Sequence, residues 1–231
     1  MNYIIFNGKD SREIKGLLVS ELPPITKPNM RVKETVIDGV DGSIVEELGY
    51  ESYDRTVIIG LKIGADVDDV TEFFAGNGKI VFSNEPDKYY IGQIIKSIDY
   101  ERLLRYKVAK VTFRVQPFKY SRVEVARKAT SGRTSMVVEN IGNHTSKPLI
   151  TLTGSGTVEL FVNGNKIFQY TFPNGENTVV IDSEKQDACL GNVLKNRNMY
   201  GDFPVFKKGN NTISWNGAIE GIKIERYNRW L

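Results

Sequence analysis

Hydrophobic and polar positions alternate with a period of two over much of this chain, which is typical of β-strands. In the first half, segments 17–21, 31–37 and 55–63 are rich in β-branched residues and end near Gly, Pro or Asp. Between the first two, segment 22–28 (LPPITKP) has three prolines. Because proline cannot donate a backbone hydrogen bond, we expect a loop there. The pattern predicts a first half made mainly of strands.

One segment, residues 66–76, has a helical pattern instead. Asp66 is suited to cap the N-terminus, acidic residues follow in the first turn, and Gly76 is suited to stop the helix. The apolar positions fall on one helical face: Val67, Val70, Phe73 and Phe74. The segment therefore predicts one helix of about ten residues.

Two long alternating runs follow, at 89–100 and 103–118. Only Glu101 and Arg102 separate them, so the pattern predicts a long β-hairpin with these two residues near its turn. The polar segment 121–134 then interrupts the alternation and is suited to bridge two domains. We place the boundary near residue 130, with domains at 1–128 and 129–231.

The second half has short strand-like segments separated by Gly and Asn, a pattern typical of a β-sandwich. Asn163-Gly164 and Asn216-Gly217 each lie between alternating runs, where Asn-Gly favours a type I′ hairpin turn. The Gly-Ser-Gly sequence at 154–156 lacks the Lys-Ser or Lys-Thr of a phosphate-binding loop, so we interpret it as a turn between strands. The whole chain is predicted to be a mainly β, two-domain protein.

Composition excludes several classes of function. The 231 residues include one His and one Cys, which leaves no disulfide framework or ordinary zinc site and agrees with synthesis in a reducing cytoplasm. We find no apolar run long enough for a membrane span and no signal peptide. Residues 1–125 contain 18 basic and 19 acidic residues, and residues 126–231 contain 13 and 9, all scattered. This distribution does not favour specific nucleic-acid binding.

The candidate catalytic residues are better explained by local structure. Asp38 and Asp41 flank glycines in a tight loop, where Asp favours turns, so turn formation is preferred to a glycosidase pair. His144 lies among turn-forming residues and is expected in a loop. Trp215 is suited either to the core of a sandwich or to stacking on a sugar ring, and the core is preferred. We expect no enzyme activity and no cofactor.

The chain resembles the distal tail (Dit) family of long-tailed phages and prophages over essentially its whole length. In the first half the resemblance rests on segments 37–63, 78–94 and 111–121. In the second half it rests on four segments: 139–164, 179–190, 198–217 and 226–231. The most specific of these is the Gly-Asp-Phe-Pro sequence that leads into Lys-Gly-Asn-Asn-Thr-Ile-Ser-Trp, shortly before Arg-Trp-Leu.

The resemblance implies a structural protein of the virion tail tip. Members of the family form a hexameric ring between the tail tube and the host-recognition apparatus. A β-sandwich-like N-terminal domain builds the ring, and a galectin-like β-sandwich domain projects from it. The implied partners are other copies of the chain, the tail-tube protein and the tail-tip (tail-associated) protein. Binding to receptor-binding proteins is left open, and DNA would only pass through the channel. The near-neutral first half suits such a channel, because a strongly basic lining would hold phosphates.

A candidate self-assembly surface lies in segment 41–54, which has apolar residues within a charged stretch: Ile44, Val45, Leu48 and Tyr50. Exposed strand edges and apolar patches are ready docking sites, so this segment is suited to bridge subunits. The alternative, an ordinary surface hairpin packed on its own domain, is left open. An alternative function is a lectin-like module that binds host carbohydrate through Trp215.

Overall fold

In a computed structural model of the chain, residues 1–130 and 132–231 are described, and Arg102 is described only in its backbone. The chain folds as two compact units, residues 1–122 with Leu231 and residues 123–230. Strands form most of both units, so the predicted mainly β fold is confirmed. The two helices found in the described part of the chain have seven residues each, too few to reach across a bilayer.

The first unit is built on an antiparallel sheet. Its strands and helices are β1 (Ile4–Phe6), β2 (Lys9–Asp10), β3 (Leu17–Glu21), β4 (Met30–Val36), β5 (Ser43–Tyr50), β6 (Tyr53–Leu61), α1 (Val67–Phe73), β7 (Asn77–Phe82), β8 (Lys88–Ile94), α2 (Tyr100–Tyr106) and β9 (Val108–Ser121). Seven of these strands follow the order β2-β1-β7-β8-β9-β6-β3 in the sheet. Among the described residues the other two, β4 and β5, pair only with each other and form a separate two-stranded ribbon.

The core of the first unit follows the period-two pattern of its central strands. In β9 the side chains of Ala109, Val111, Phe113 and Val115 are buried, and the residues between them are less buried or exposed. Since alternate residues of a strand point to opposite faces, one face of the sheet builds the core. The predicted helix is confirmed as α1, which has seven residues instead of about ten, and the Asp66 side chain accepts a hydrogen bond from the backbone N–H of Asp68.

The predicted hairpin at 89–118 is confirmed in its pairing and wrong at its tip. Strands β8 and β9 are antiparallel partners, but seven residues of the connection, Tyr100–Tyr106, form α2. Leu103 is fully buried in the core, and Tyr100, three residues earlier, also packs against the core. This spacing of three residues favours a helix, which replaces the turn predicted at Glu101 and Arg102.

The second unit is a nine-stranded antiparallel sheet that includes two unusually long strands. Its elements are β10 (Arg127–Thr130), β11 (Ser135–Asn140), β12 (Leu149–Val162), β13 (Asn165–Thr171), β14 (Thr178–Asp182), β15 (Asp187–Leu190), β16 (Val193–Leu194), a 3-10 turn (Asn196–Asn198), β17 (Met199–Gly201), β18 (Gly209–Glu225) and β19 (Arg229–Trp230). The sheet includes β10 to β18, and within it β12 and β18 pair along most of their length. The Asn163-Gly164 hairpin is confirmed: both residues have positive φ, and the turn joins β12 to β13.

Two predicted turns are wrong, because both lie inside these long strands. The Gly-Ser-Gly at 154–156 is part of β12, and Asn216-Gly217 is part of β18, on either side of the same irregularity in register. A Cβ on Gly154 would lie 2.3 Å from the Ala218 carbonyl oxygen, and one on Gly217 would lie 2.5 Å from that of Thr157. The glycines therefore allow the two backbones to approach closely where the strands change register, which is a known role of glycine inside a sheet.

Candidate self-assembly surface

The ribbon of β4 and β5 is the least buried secondary structure of the first unit. We call residues 30–50 the arm. Its strands pair from Met30 opposite Tyr50 to Val36 opposite Ser43, with one bulge next to Arg31. All residues of the two strands except Met30 and Tyr50 at the base are exposed on both faces of the ribbon. An isolated two-stranded hairpin is only marginally stable in water, so this arm is suited to gain its stability from a further surface.

Three of the four residues predicted for self-assembly lie along the arm with exposed side chains: Ile44 (61 %), Val45 (51 %) and Leu48 (48 %). Tyr50 lies at the base instead, half-buried, where its ring meets Phe118 edge-on at 5.9 Å between centroids. The structure therefore separates the predicted set into an exposed part and an anchoring part. Whether these residues bridge subunits stays a prediction.

The arm contains further exposed aliphatic side chains that the sequence interpretation did not include: Val32, Val36, Ile37 and Val40. For the first three, the alternation of segment 31–37 predicted a strand, but it did not predict that both faces of that strand are exposed. Since alternate residues share a face and Val45 pairs with Glu34, the side chains of Val32, Val36 and Val45 share one face of the ribbon. We call it the valine face.

The arm also carries an excess of negative charge, with five acidic residues against two basic ones. Glu34 and Glu47 lie on the valine face, because Glu34 is opposite Val45 and Glu47 is opposite Val32. Neither makes an ion pair with the described residues, and the pair within the ribbon is Lys33 with Glu46 at 3.9 Å, on the opposite face. The valine face is therefore both apolar and acidic.

A buried cluster of charges lies in the same unit, at positions distant in sequence. Arg55 of β6, Glu85 and Lys119 of β9 are 1 %, 7 % and 6 % exposed. Lys119 Nζ lies 2.6 Å from Glu85 Oε1, Arg55 Nη2 lies 3.9 Å from Glu85 Oε2, and the Tyr90 hydroxyl donates to Glu85 Oε2 at 2.5 Å. Burial raises the pKa of the Tyr90 hydroxyl, and its hydrogen bond to Glu85 adds to this, so Tyr90 keeps its donor proton.

This cluster holds the proline-rich segment that precedes the arm. The Arg55 guanidinium donates to the Pro24 carbonyl oxygen at 2.5 Å, and the Asn84 amide donates to that of Pro23 at 3.0 Å. The predicted loop at 22–28 is thus a fixed strap on the sheet. Because one carboxylate faces two buried cations, the arrangement depends on Glu85, and its loss would leave both cations without their shared partner.

Asp38 and Asp41 are exposed in the turn between β4 and β5, and the other candidate residues lie in the second unit. Trp215 is 4 % exposed within the core, so its indole has no open face on which a sugar ring could stack. His144 lies in a loop, as predicted, with its backbone N–H donating to the Arg229 carbonyl oxygen. Burial lowers the pKa of the His144 imidazole, and the charge of Arg229 lowers it further.

Comparison with known proteins finds similarity in fold but not in sequence. No protein-family model and no curated protein sequence matches the chain significantly. Among solved structures, the SPP1 Dit protein (gp 19.1) matches with a TM-score of 0.75 and 17 % identity over 100 % of both chains. It is described as a paradigm of the hub adsorption apparatus in phages that infect Gram-positive bacteria.

Two structures of the activated phage P2 baseplate, one with Ca and one with Sr, match with a TM-score of 0.50 each. Their identities are 9 % and 10 %, over 98 % and 97 % of both chains. The chain therefore has the fold of a phage tail-hub protein. The resemblance to distal tail proteins found in the sequence is confirmed at that level.

Proposed function

We propose that this chain is a structural subunit of a phage or prophage tail tip. Six copies form a ring that joins the tail tube to the tail-tip and host-recognition apparatus and lets DNA pass. The observation that carries the proposal is the arm, a ribbon with exposed aliphatic side chains on a unit that has the fold of the SPP1 hub protein. The function lies in its surfaces, and no catalytic role is assigned.

The arm supports self-assembly for an energetic reason. When a partner covers its exposed aliphatic side chains, the free energy of association falls by roughly 25 cal/mol for each Å² of apolar surface removed from water. A ribbon that binds a different surface on the next copy makes a head-to-tail contact, and such contacts close into a ring when the rotation between copies is suitable. A ring hub needs this kind of contact.

The anchored base of the arm also favours a role in self-assembly. Segment 22–28 is held by Arg55 and Asn84, and the Tyr50 ring packs on Phe118 at the other end of the ribbon. An arm that leaves the sheet in a fixed direction loses less conformational entropy when it binds, so more of its contact energy appears as affinity. Both strands of the arm are therefore anchored at its base, which leaves the rest of the ribbon free to bind a partner.

The charge of the first unit suits a channel for DNA. Residues 1–122 contain 18 basic and 18 acidic residues. A ring built from this unit carries little net charge, so DNA phosphates would pass without being retained. The proposed partners are the tail-tube protein on one face and the tail-tip protein on the other. The lectin-like alternative gains no support from Trp215, because that residue is buried.

Labelling of phage particles tests the proposed location. Antibodies raised against the purified chain and coupled to gold are expected to bind at the end of the tail opposite the capsid. Antibodies first absorbed with the purified chain should give no label. Gold along the whole tail, gold on the capsid, or no protein in purified particles would contradict the proposed tail-tip role.

A further inference from the structure

A second exposed surface of the first unit lies at α2 and the start of β9. It consists of residues 104–108 and Lys110, and we call it the α2 patch. Residues 104–108 and Lys110 are all exposed, whereas Leu103 and Ala109 beside them are buried in the core. The Lys107 carbonyl oxygen accepts a hydrogen bond from the backbone N–H of Leu61, which ties the end of α2 to the end of β6. The patch is therefore a fixed part of the unit.

The α2 patch combines apolar and basic side chains. Leu104, Tyr106 and Val108 are 51 %, 64 % and 41 % exposed. Its charged residues, Arg105, Lys107 and Lys110, are all basic, and none makes an ion pair with the described residues. Two acidic residues, Asp99 and Glu101, lie beside Arg105 and Tyr106 at one edge of the patch. An exposed apolar surface with an excess of positive charge is suited to a partner that is apolar and negatively charged.

The arm has the complementary character. Its valine face presents aliphatic side chains together with Glu34 and Glu47, which also lack ion pairs in the described part of the chain. Within one molecule the arm is exposed on both faces, so the patch of the same copy does not cover it. An acidic apolar ribbon and a basic apolar patch on one chain favour a contact between two copies.

We propose that the valine face of the arm docks on the α2 patch of the next copy. The inference rests on the proposed ring and names the two surfaces that build it. Because the two surfaces differ, each copy gives its arm to one neighbour and receives an arm from the other. Such a head-to-tail contact closes into a ring when the rotation between copies is suitable, and it does not build a two-fold dimer. The opposite charges speed the encounter of two copies and favour the correct pairing, and added salt weakens this attraction by screening it.

Charge reversal in two separate variants tests the contact. The arm variant carries Glu34→Lys and Glu47→Lys, and the patch variant carries Arg105→Glu and Lys107→Glu. In each variant alone, arm and patch have like charges, so we expect the concentration for half-assembly to rise on the order of 100-fold. When the two are mixed in equal amounts, every arm meets a patch of opposite charge. The mixture should assemble at nearly the wild-type concentration, with the two variants alternating.

Sedimentation velocity and native mass spectrometry measure the assembly. The control variant reverses two exposed acids of the second unit, Asp202→Lys and Glu220→Lys, and should assemble as the wild type does. Recovery on mixing also excludes misfolding as the cause of the loss. If the patch variant alone assembles like the wild type, or if mixing restores nothing, the contact is wrong while the ring stands. If the wild type forms no ring at any concentration, the proposed function fails as well.

Discussion

Shortening the arm is expected to abolish self-assembly while the fold of the chain is preserved. Arg31 and Gly49 are paired neighbours in the ribbon, so residues 32–48 can be replaced by Asn-Gly, which favours a two-residue hairpin turn. The shortened chain should sediment as a monomer at concentrations where the intact chain forms rings. Its circular dichroism and melting temperature should change little, because β4 and β5 pair with no other strand in the described structure.

A matched variant separates loss of the arm from a general loss of surface hydrophobicity. Val137 and Val193 are exposed aliphatic residues of the second unit, and their replacement by Asp should leave assembly unchanged. A ring formed by the shortened chain would show that the arm is an ordinary surface hairpin. Sedimentation velocity distinguishes these outcomes directly.

Replacing Glu85 with Ala is expected to lower the free energy of unfolding of the first unit by about 3–5 kcal/mol, the usual cost of removing one partner from a buried ion pair. The substitution leaves the buried Arg55 and Lys119 without their shared carboxylate and removes the acceptor of the Tyr90 hydroxyl. Because Arg55 holds the strap at 22–28, proteolysis there should also become faster. Urea denaturation and limited proteolysis measure the two effects.

The control is a salt bridge of the same length at the surface. Lys9 Nζ and Glu72 Oε1 are also 2.6 Å apart, but both side chains are exposed. Solvent screens such a pair, so Glu72→Ala should change stability very little. Equal effects of the two substitutions would contradict the role assigned to the buried cluster.

Local signals predicted much of the fold. The strands β3, β4 and β6, the cap of α1 and the Asn163-Gly164 hairpin depend on neighbouring residues, which a sequence pattern contains. Other elements depend on tertiary contacts. Segment 100–106 was predicted to hold a turn between two strands, yet it is helical, with Leu103 buried in the core. Asn216-Gly217 has the composition of a turn, but its glycine serves a close approach to β12.

The sequence predicted some residues of the candidate self-assembly surface and missed others. The apolar residues at 44, 45 and 48 stand out between charged neighbours, whereas Val32 and Val36 look like an ordinary strand until both faces are seen to be exposed. The cluster of Arg55, Glu85 and Lys119 brings together residues up to 64 positions apart, which the fold alone joins. No local pattern contains such a signal.

Native mass spectrometry of the intact chain, with negative-stain microscopy of the same sample, tests whether six copies of the chain form a ring. We expect a species with the mass of six copies and ring-shaped particles with a central channel, at least at high protein concentration. A chain that stays monomeric at every concentration and forms no ring with a tail-tube or tail-tip partner would contradict it.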